Sequence, residues 1–153
     1  MSICTFIASD QPLAEAAPLR EYPLEINIDD GTTYDGGTDD NYFLYSFADV
    51  QDYSNKKYGV CLEWLYTEGR AKQIVEYIKN ALRSAASVGL WHVWLTGCYC
   101  EYEDSPVIHR RTVCIDELST QHVKEIDEAE VWNTPDRMYP GRPSFYCLEI
   151  RRY

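Results

Sequence analysis

TEGRAKQIVEYIKNALRSAASVGLWHVWL, residues 67–95, contains a helix pattern followed directly by a strand pattern. In its first part the apolar residues recur at the spacing of one helix face. Thr67 is a typical N-cap and Gly89 is a typical residue just beyond a helix, so we expect a principal helix over about residues 68–88. The remainder is apolar on both faces except at His92, which predicts a central strand.

Strand patterns flank this helix on both sides. Residues 3–8 and 42–48 precede it, and residues 107–115 and 145–151 follow it. A short helix is predicted to begin near Ser119, a second typical N-cap. The mostly short connections between strands favour an α+β fold, with an antiparallel or mixed β-sheet of about six to seven strands packed against one principal helix plus a short second helix.

Two of the predicted strands alternate between apolar and polar residues. In residues 24–28 the aliphatic side chains alternate with polar ones, so we expect a half-buried strand with one wet face. In residues 58–66 one face carries Tyr58, Trp64 and Tyr66 together with aliphatic residues. That aromatic face is expected to be core.

The composition is that of an ordinary globular protein, with 45% apolar and 25% charged residues, and it predicts a single α+β domain over residues 1–153. No apolar run is long enough to cross a bilayer, and the first residues lack the basic segment of a signal peptide. We therefore expect a cytoplasmic chain with no membrane contact. In that reducing compartment its six cysteines should be free and mostly buried thiols.

The charge is strongly negative and unevenly distributed. The 14 basic and 25 acidic residues give a net charge of −11, and residues 1–66 alone carry 12 acidic and 3 basic side chains. Residues 98–131 form a second block, with 9 acidic and 3 basic side chains. Such a surface repels nucleic acid and speeds encounter with a basic partner, so we expect no direct nucleic-acid binding. The alternative is that the charge serves only solubility.

An acidic loop is predicted over residues 29–41, because Asp-Gly pairs recur there and no aliphatic side chain occurs anywhere in it. Its aspartates could supply oxygen ligands to calcium, but the spacing is not that of an EF-hand and no glutamate closes it. These aspartates are Asp29, Asp30, Asp35, Asp39 and Asp40. We expect a solvated or partner-binding loop and no metal.

Cysteine and histidine offer little further chemistry. Cys98 and Cys100, with His109 and Cys114 nearby, lack the pair spacing of common zinc sites, so buried thiols are expected and no metal or cofactor is predicted. The motifs of nucleotide binders, hydrolases and zinc proteases do not occur.

Acidic side chains crowd the end of the short helix, where the helix dipole is negative and each costs a few tenths of a kcal/mol or more. Either that helix ends early or the carboxylates are held for a partner. Tyrosines beside carboxylates also suit an interface, because tyrosine supplies contact area while acids steer association. The predicted partner-binding residues are Asp29, Asp30, Tyr34, Asp35, Asp39, Asp40, Tyr42, Tyr99, Glu101, Tyr102, Glu103, Asp104, Glu125, Asp127 and Glu128.

These observations favour binding over catalysis. The leading hypothesis is an acidic protein-binding module, such as an inhibitor or immunity-type protein that covers a basic partner like a toxin or nuclease. One alternative is a small enzyme or ligand-binding domain with a cleft near His92, Cys98 and Glu101. Another is a structural subunit of a larger assembly, and the oligomeric state is left open.

Overall fold

The principal helix predicted from the sequence lies against one face of a six-stranded sheet. The structure is a computed structural model, and it describes residues 3–94, 107–129 and 144–153. The strands are Ile3–Ser9 (β1), Glu25–Asn27 (β2), Thr32–Tyr34 (β3), Tyr42–Ser46 (β4), Tyr58–Trp64 (β5), Ser87–Trp94 (β6), Val107–Cys114 (β7) and Ser144–Arg151 (β8). The helices are Glu68–Ala81 (α1) and Thr120–Asp127 (α2), and a short 3-10 helix spans Ala48–Asp52.

The main sheet has the strand order β4-β5-β1-β6-β8-β7. All neighbours pair antiparallel except β7 and β8, which pair parallel, so the sheet is mixed. The α+β class, with one main helix and one shorter one, is confirmed. Strands β2 and β3 form a separate antiparallel pair.

Two apolar layers cover the two faces of the sheet. On one face α1 and α2 bury residues such as Ile74, Ile78 and Ile126 against aliphatic side chains of the sheet. On the other face Phe6 and Trp91 belong to an aromatic cluster beneath the 3-10 helix. Because Phe6 and Trp91 lie on adjacent strands, their rings stack with centroids 5.8 Å apart.

The end of α1 differs from the prediction. The helix stops at Ala81, and Gly89 lies inside β6 instead of acting as the residue beyond the helix. Arg152 donates hydrogen bonds to the backbone carbonyls of Leu82 and Ala85, each at 2.9 Å. These bonds give two carbonyls the donors that a further helical turn would otherwise supply. Ending the helix at Ala81 therefore costs little stability.

Residues 24–28 also differ from the prediction. They do not join the main sheet, and β2 is exposed at all three of its positions. The expected apolar face is open to solvent, with Leu24, Ile26 and Ile28 exposed by 55%, 65% and 90%. Alternation indicates a strand correctly here, but it carries no information on whether a second layer covers the apolar side.

The loop predicted over residues 29–41 contains strand β3, which returns alongside β2. In β5, Val60 and Leu62 are buried as expected, whereas Tyr58 is 42% exposed because it stands at the first position of the strand. Within the described ranges, neither helix has the length and apolar content needed to cross a bilayer.

Candidate functional site

The most exposed feature of the described chain is the β2–β3 pair and its flanks, residues 21–40, which we call the acidic hairpin. This segment contains seven acidic side chains and no basic one. Glu25 pairs with Tyr34 and Asn27 with Thr32 across the two strands. Its concave side forms a groove of about 590 Å³ lined by β2, the following turn and Tyr34.

A buried ion pair fixes the hairpin to the body of the protein. Arg70 of α1 is 0% exposed, and its guanidinium donates to both carboxylate oxygens of Asp35, each at 2.8 Å. The same group donates to the carbonyls of Thr38 and Leu65, also at 2.8 Å each. Because Arg70 neutralises Asp35 and donates to it, the pKa of that carboxyl lies below its ordinary value.

Two other aspartates also hold the segment in place. Asp40 accepts hydrogen bonds from the Leu19 backbone N–H at 3.1 Å and the Tyr22 hydroxyl at 2.8 Å, and these bonds lower its pKa. Asp39 packs its carboxylate against Gly69 in the first turn of α1, in the space that a Cβ at position 69 would occupy. A negative charge there is favourable because the helix dipole is positive at its N-terminus.

Asp30 and Asp29 stand at the tip of the hairpin. Asp30 accepts hydrogen bonds from the Thr32 N–H at 3.0 Å and the Thr32 hydroxyl at 2.6 Å, which lower its pKa and shape the turn. Within the described residues, the side chains of Glu21, Glu25 and Asp29 have no hydrogen bond or ion pair. These three carboxylates are therefore the ones open to a partner.

The predicted tyrosines behave differently from each other. Tyr34 is 58% exposed, and its ring borders Gly37, three residues further along the chain. Tyr42 is half-buried at the start of β4, where burial and then the charge of Asp40 raise the pKa of its hydroxyl. Of these two tyrosines, Tyr34 is the one whose ring is exposed as contact surface.

The acidic end of α2 has partners inside the protein. Glu125 accepts a hydrogen bond from Arg111 at 2.6 Å, and Asp127 accepts one from the Trp64 indole N–H at 2.9 Å. Burial raises the pKa of Asp127, although the Trp64 bond opposes that change. Glu128 is exposed just beyond the helix. Two of the acids, Glu125 and Asp127, thus have hydrogen-bond partners inside the protein, which the helix-dipole argument alone did not predict.

The two acidic segments meet at the N-terminal end of α1. Glu68 of α1 accepts hydrogen bonds from Thr120 of α2 and from the Tyr66 hydroxyl. Burial, the Glu68 bond and the charges of Glu68, Asp127 and Glu128 raise the pKa of Tyr66 to about 12. On the other side of this end lie the carboxylates that bind the acidic hairpin to α1. Acidic side chains of the hairpin and Glu68 therefore lie at the same end of the helix.

The remaining predicted positions lie outside the described residues. They are Cys98, Tyr99, Cys100, Glu101, Tyr102, Glu103 and Asp104.

Of the three residues of the predicted cleft, His92 lies within the described residues, and a cavity is present beside it. A cavity of about 400 Å³ is lined by Cys4, Cys61, His92 and Asp127, among others. The sulfur atoms of Cys4 and Cys61 approach to 2.8 Å across β1 and β5. The hydrogen bond between these sulfurs, and then burial, raise the pKa of the Cys4 thiol, while the same bond lowers the pKa of Cys61.

His109 and Cys114 occupy β7, and His109 lies beside the Tyr146 ring with centroids 5.1 Å apart. Cys4, Cys61, Cys114 and Cys147 are free thiols, of which Cys4 and Cys147 are buried and Cys61 and Cys114 are half-buried. No cluster of three or more His, Cys, Asp or Glu side chains in that part of the chain could hold a metal ion.

The sequence prediction missed the exposed residues that make the hairpin an apolar as well as an acidic surface. These are Glu21, Leu24, Glu25, Ile26 and Ile28. The available signal was the absence of any basic residue from position 21 to 40 around an aliphatic alternation.

Comparison with protein-family models, curated proteins and solved structures finds no match, so function is argued from these surfaces alone.

Proposed function

We propose that this chain is an acidic protein-binding module that uses the acidic hairpin to occupy a basic partner protein, as an inhibitor or immunity-type protein does. The observation that carries the proposal is the coincidence of exposed aliphatic side chains with open carboxylates on one projecting hairpin. Ile26 and Ile28 are exposed by 65% and 90%, between Glu25 and Asp29.

Each half of this surface has a separate role in binding. Exposed apolar side chains that no layer of their own protein covers are costly in water, and they gain free energy when a partner buries them. The carboxylates attract a basic surface over a distance and exclude acidic competitors. A partner that normally binds nucleic acid has the complementary charge.

The anchoring of the hairpin supports this role. Arg70, Asp35 and Asp40 hold its base in one geometry through several charge-assisted hydrogen bonds. A surface that is fixed before binding loses less conformational entropy when the complex forms. Binding energy is therefore not spent on ordering the hairpin.

The experiment compares two charge reversals of equal size. In the first variant Glu21, Glu25 and Asp29 become Lys. In the control Asp52, Glu76 and Asp116, three exposed acids elsewhere, become Lys. Tagged wild-type chain is incubated with a lysate of its source cell at low salt, and retained proteins are eluted with salt and identified.

We expect a basic protein to be retained by wild type and by the control but not by the hairpin variant, and purified partner should bind with strong salt dependence. Retention of no specific basic protein, or equal loss in both variants, contradicts the proposal.

A second candidate function, a small enzyme or ligand-binding domain, rests on the His92 cavity. Its favouring observation is that the Cys4–Cys61 thiol pair opens into the same cavity as His92 and Asp127. Replacing His92 with Asn should abolish such an activity while leaving partner capture unchanged, which separates the two functions.

A further inference from the structure

A second cavity lies on the sheet face opposite to α1 and involves no residue of the acidic hairpin. It has a volume of about 490 Å³ and lies between the 54–56 segment and the strands β6, β8 and β7. Cavities of this size hold small molecules. We call it the β6–β8 cleft, lined by Tyr53, Ser54, Asn55, Lys56, Ser87, Gly89, Trp91, Arg110, Cys147 and Glu149.

Its floor is built by neighbouring strands in register. Trp91 of β6 pairs with Cys147 of β8, and Cys147 pairs with Arg110 of β7. Gly89 leaves the space beside Trp91 open, since a Cβ there would lie 2.8 Å from the indole nitrogen. The indole is held from behind by the stacked ring of Phe6. A site on paired strands is more rigid than one on loops.

The cleft holds two cationic groups in a chain of net charge −11. The Arg110 guanidinium lies 5.2 Å from the centre of the Trp91 ring, and its Nη1 is 3.9 Å from the Cys147 sulfur. The Lys56 ammonium donates to the Ser87 hydroxyl at 2.8 Å, and the side chain is only 13% exposed. Both cations lie close enough to Cys147 to affect its thiol. Burial raises the pKa of Cys147 to about 12, and the charges of Arg110 and Lys56 each oppose that rise.

The counter-ion of Lys56 is distant and exposed. The Lys56 ammonium forms an ion pair with the Asp10 carboxylate at 3.8 Å, and the Asp10 side chain is 62% exposed. Within the described residues, Arg110 forms no ion pair. Glu149 lines the cleft, but its carboxylate accepts a hydrogen bond from Arg151 at 3.1 Å. A mostly buried ammonium whose ion pair is long and solvent-exposed keeps part of its desolvation cost, and a bound anion would offset that cost.

We propose that the β6–β8 cleft binds a small molecule bearing an anionic oxygen group, a phosphate or a carboxylate. Arg110 donates to oxygens of that group through its fork of N–H donors. Lys56 and Ser87 donate to the same group from the opposite side of the cleft. The planar face of the Arg110–Trp91 stack receives the body of the ligand. A nucleic-acid chain is not the source, because the surrounding acidic surface repels a polyanion.

The test titrates full-length protein with phenyl phosphate, benzoate and phenol by calorimetry at low salt. These probes share a ring and differ in the anionic group. We expect phenyl phosphate, benzoate or both to bind, and phenol to bind much more weakly. Binding by neither anion at millimolar concentration, or equal binding of phenol, overturns the proposal.

Variants then locate the site. Lys56→Met and Arg110→Gln should each weaken anion binding about tenfold or more, because each removes a charge-assisted hydrogen bond. Lys57→Met and Arg83→Gln remove the same charges at exposed positions outside the cleft and should change the affinity by less than about twofold. Equal weakening by both pairs means general attraction only and overturns the proposal.

A competition covers the case in which Arg110→Gln does not fold. Inorganic phosphate should displace phenyl phosphate from the wild-type chain, and sodium chloride of equal ionic strength should not. If sodium chloride displaces the probe equally well, the oxyanion site does not exist.

Discussion

Arg70 and Asp35 form a two-pronged ion pair that ties the first turn of α1 to the base of the acidic hairpin, with both N···O distances at 2.8 Å. The arginine is fully buried, whereas the Asp35 side chain is 14% exposed. The guanidinium also donates from Nε to the Thr38 carbonyl and from Nη1 to the Leu65 carbonyl. Folding of the helix end and placement of the hairpin are thus coupled through one side chain.

Replacing Arg70 with Met should destabilise the protein by about 3–5 kcal/mol, because Asp35 and two carbonyls lose their donor in a desolvated place. The free energy of unfolding measured in urea tests this, with Lys72→Met as a control at an exposed position of the same helix. A loss below about 1 kcal/mol would mean that water replaces the guanidinium.

The lowered pKa of Asp35 predicts how the free energy of unfolding depends on pH. Its pKa in the folded protein lies below the value of about 3.9 expected in the unfolded chain, so its contribution is present above that value. The contribution is lost as the pH falls through the lower, folded pKa. The stability difference between wild type and Asp35→Asn should therefore be largest near neutral pH and shrink in strong acid. Urea denaturation at several pH values measures it, and a constant difference would contradict the assignment.

The raised pKa of Asp127 predicts the opposite dependence of the free energy of unfolding on pH. Burial raises its pKa in the folded protein, so the stability linked to it is present below the unfolded pKa and is lost as the pH rises through the folded one. Asn keeps the acceptor for the Trp64 N–H and removes the buried charge. Asp127→Asn should be more stable than wild type at neutral pH, with the gain fading toward pH values of about 4. Glu128→Gln, at an exposed neighbour, should show no such gain.

The apolar tip of the acidic hairpin should be dispensable for folding. Ile26→Ser and Ile28→Ser remove exposed side chains and should change the free energy of unfolding by less than about 0.5 kcal/mol each. Leu90→Ser, at a buried position of β6, is the contrasting control and should be strongly destabilising. Large losses in the isoleucine variants would show that another part of the chain covers the hairpin.

The thiols should differ in reactivity. Cys61 is half-buried with a lowered pKa, whereas burial raises the pKa of Cys147 to about 12. Because the thiolate is the reactive form, iodoacetamide near neutral pH should modify Cys61 before Cys4 and Cys147. Peptide mass spectrometry over time measures the order, and Cys61→Ser should remove the fast phase. Faster labelling of Cys147 would contradict the prediction.

The parts predicted correctly from sequence are those that local chemistry determines. Thr67 caps α1 by accepting from the Arg70 N–H, and Ser119 caps α2 with His122 in a capping box. The strands beside them follow from apolar patterns within a few residues of their observed ends.

The parts predicted wrongly depend on distant residues. The end of α1 is set by Arg152, which lies 70 positions from Leu82. The roles of Asp35 and Asp40 as internal ligands depend on Arg70 and Tyr22, and nothing in the local spacing of the aspartates indicates those contacts. Charge pattern alone therefore marked the acidic segment but did not separate its structural carboxylates from its open ones.

The strand order has a consequence for synthesis of the chain. Among the strands that the structure describes, β7 has one neighbour in the main sheet, β8, and β8 lies between β7 and β6. While a ribosome is still adding residues 144–151, β7 and β6 both lack their β8 partner and each has an open edge. A nascent chain stalled before that point exposes unpaired backbone on both strands, so the sheet can be completed only after the eighth strand leaves the exit tunnel.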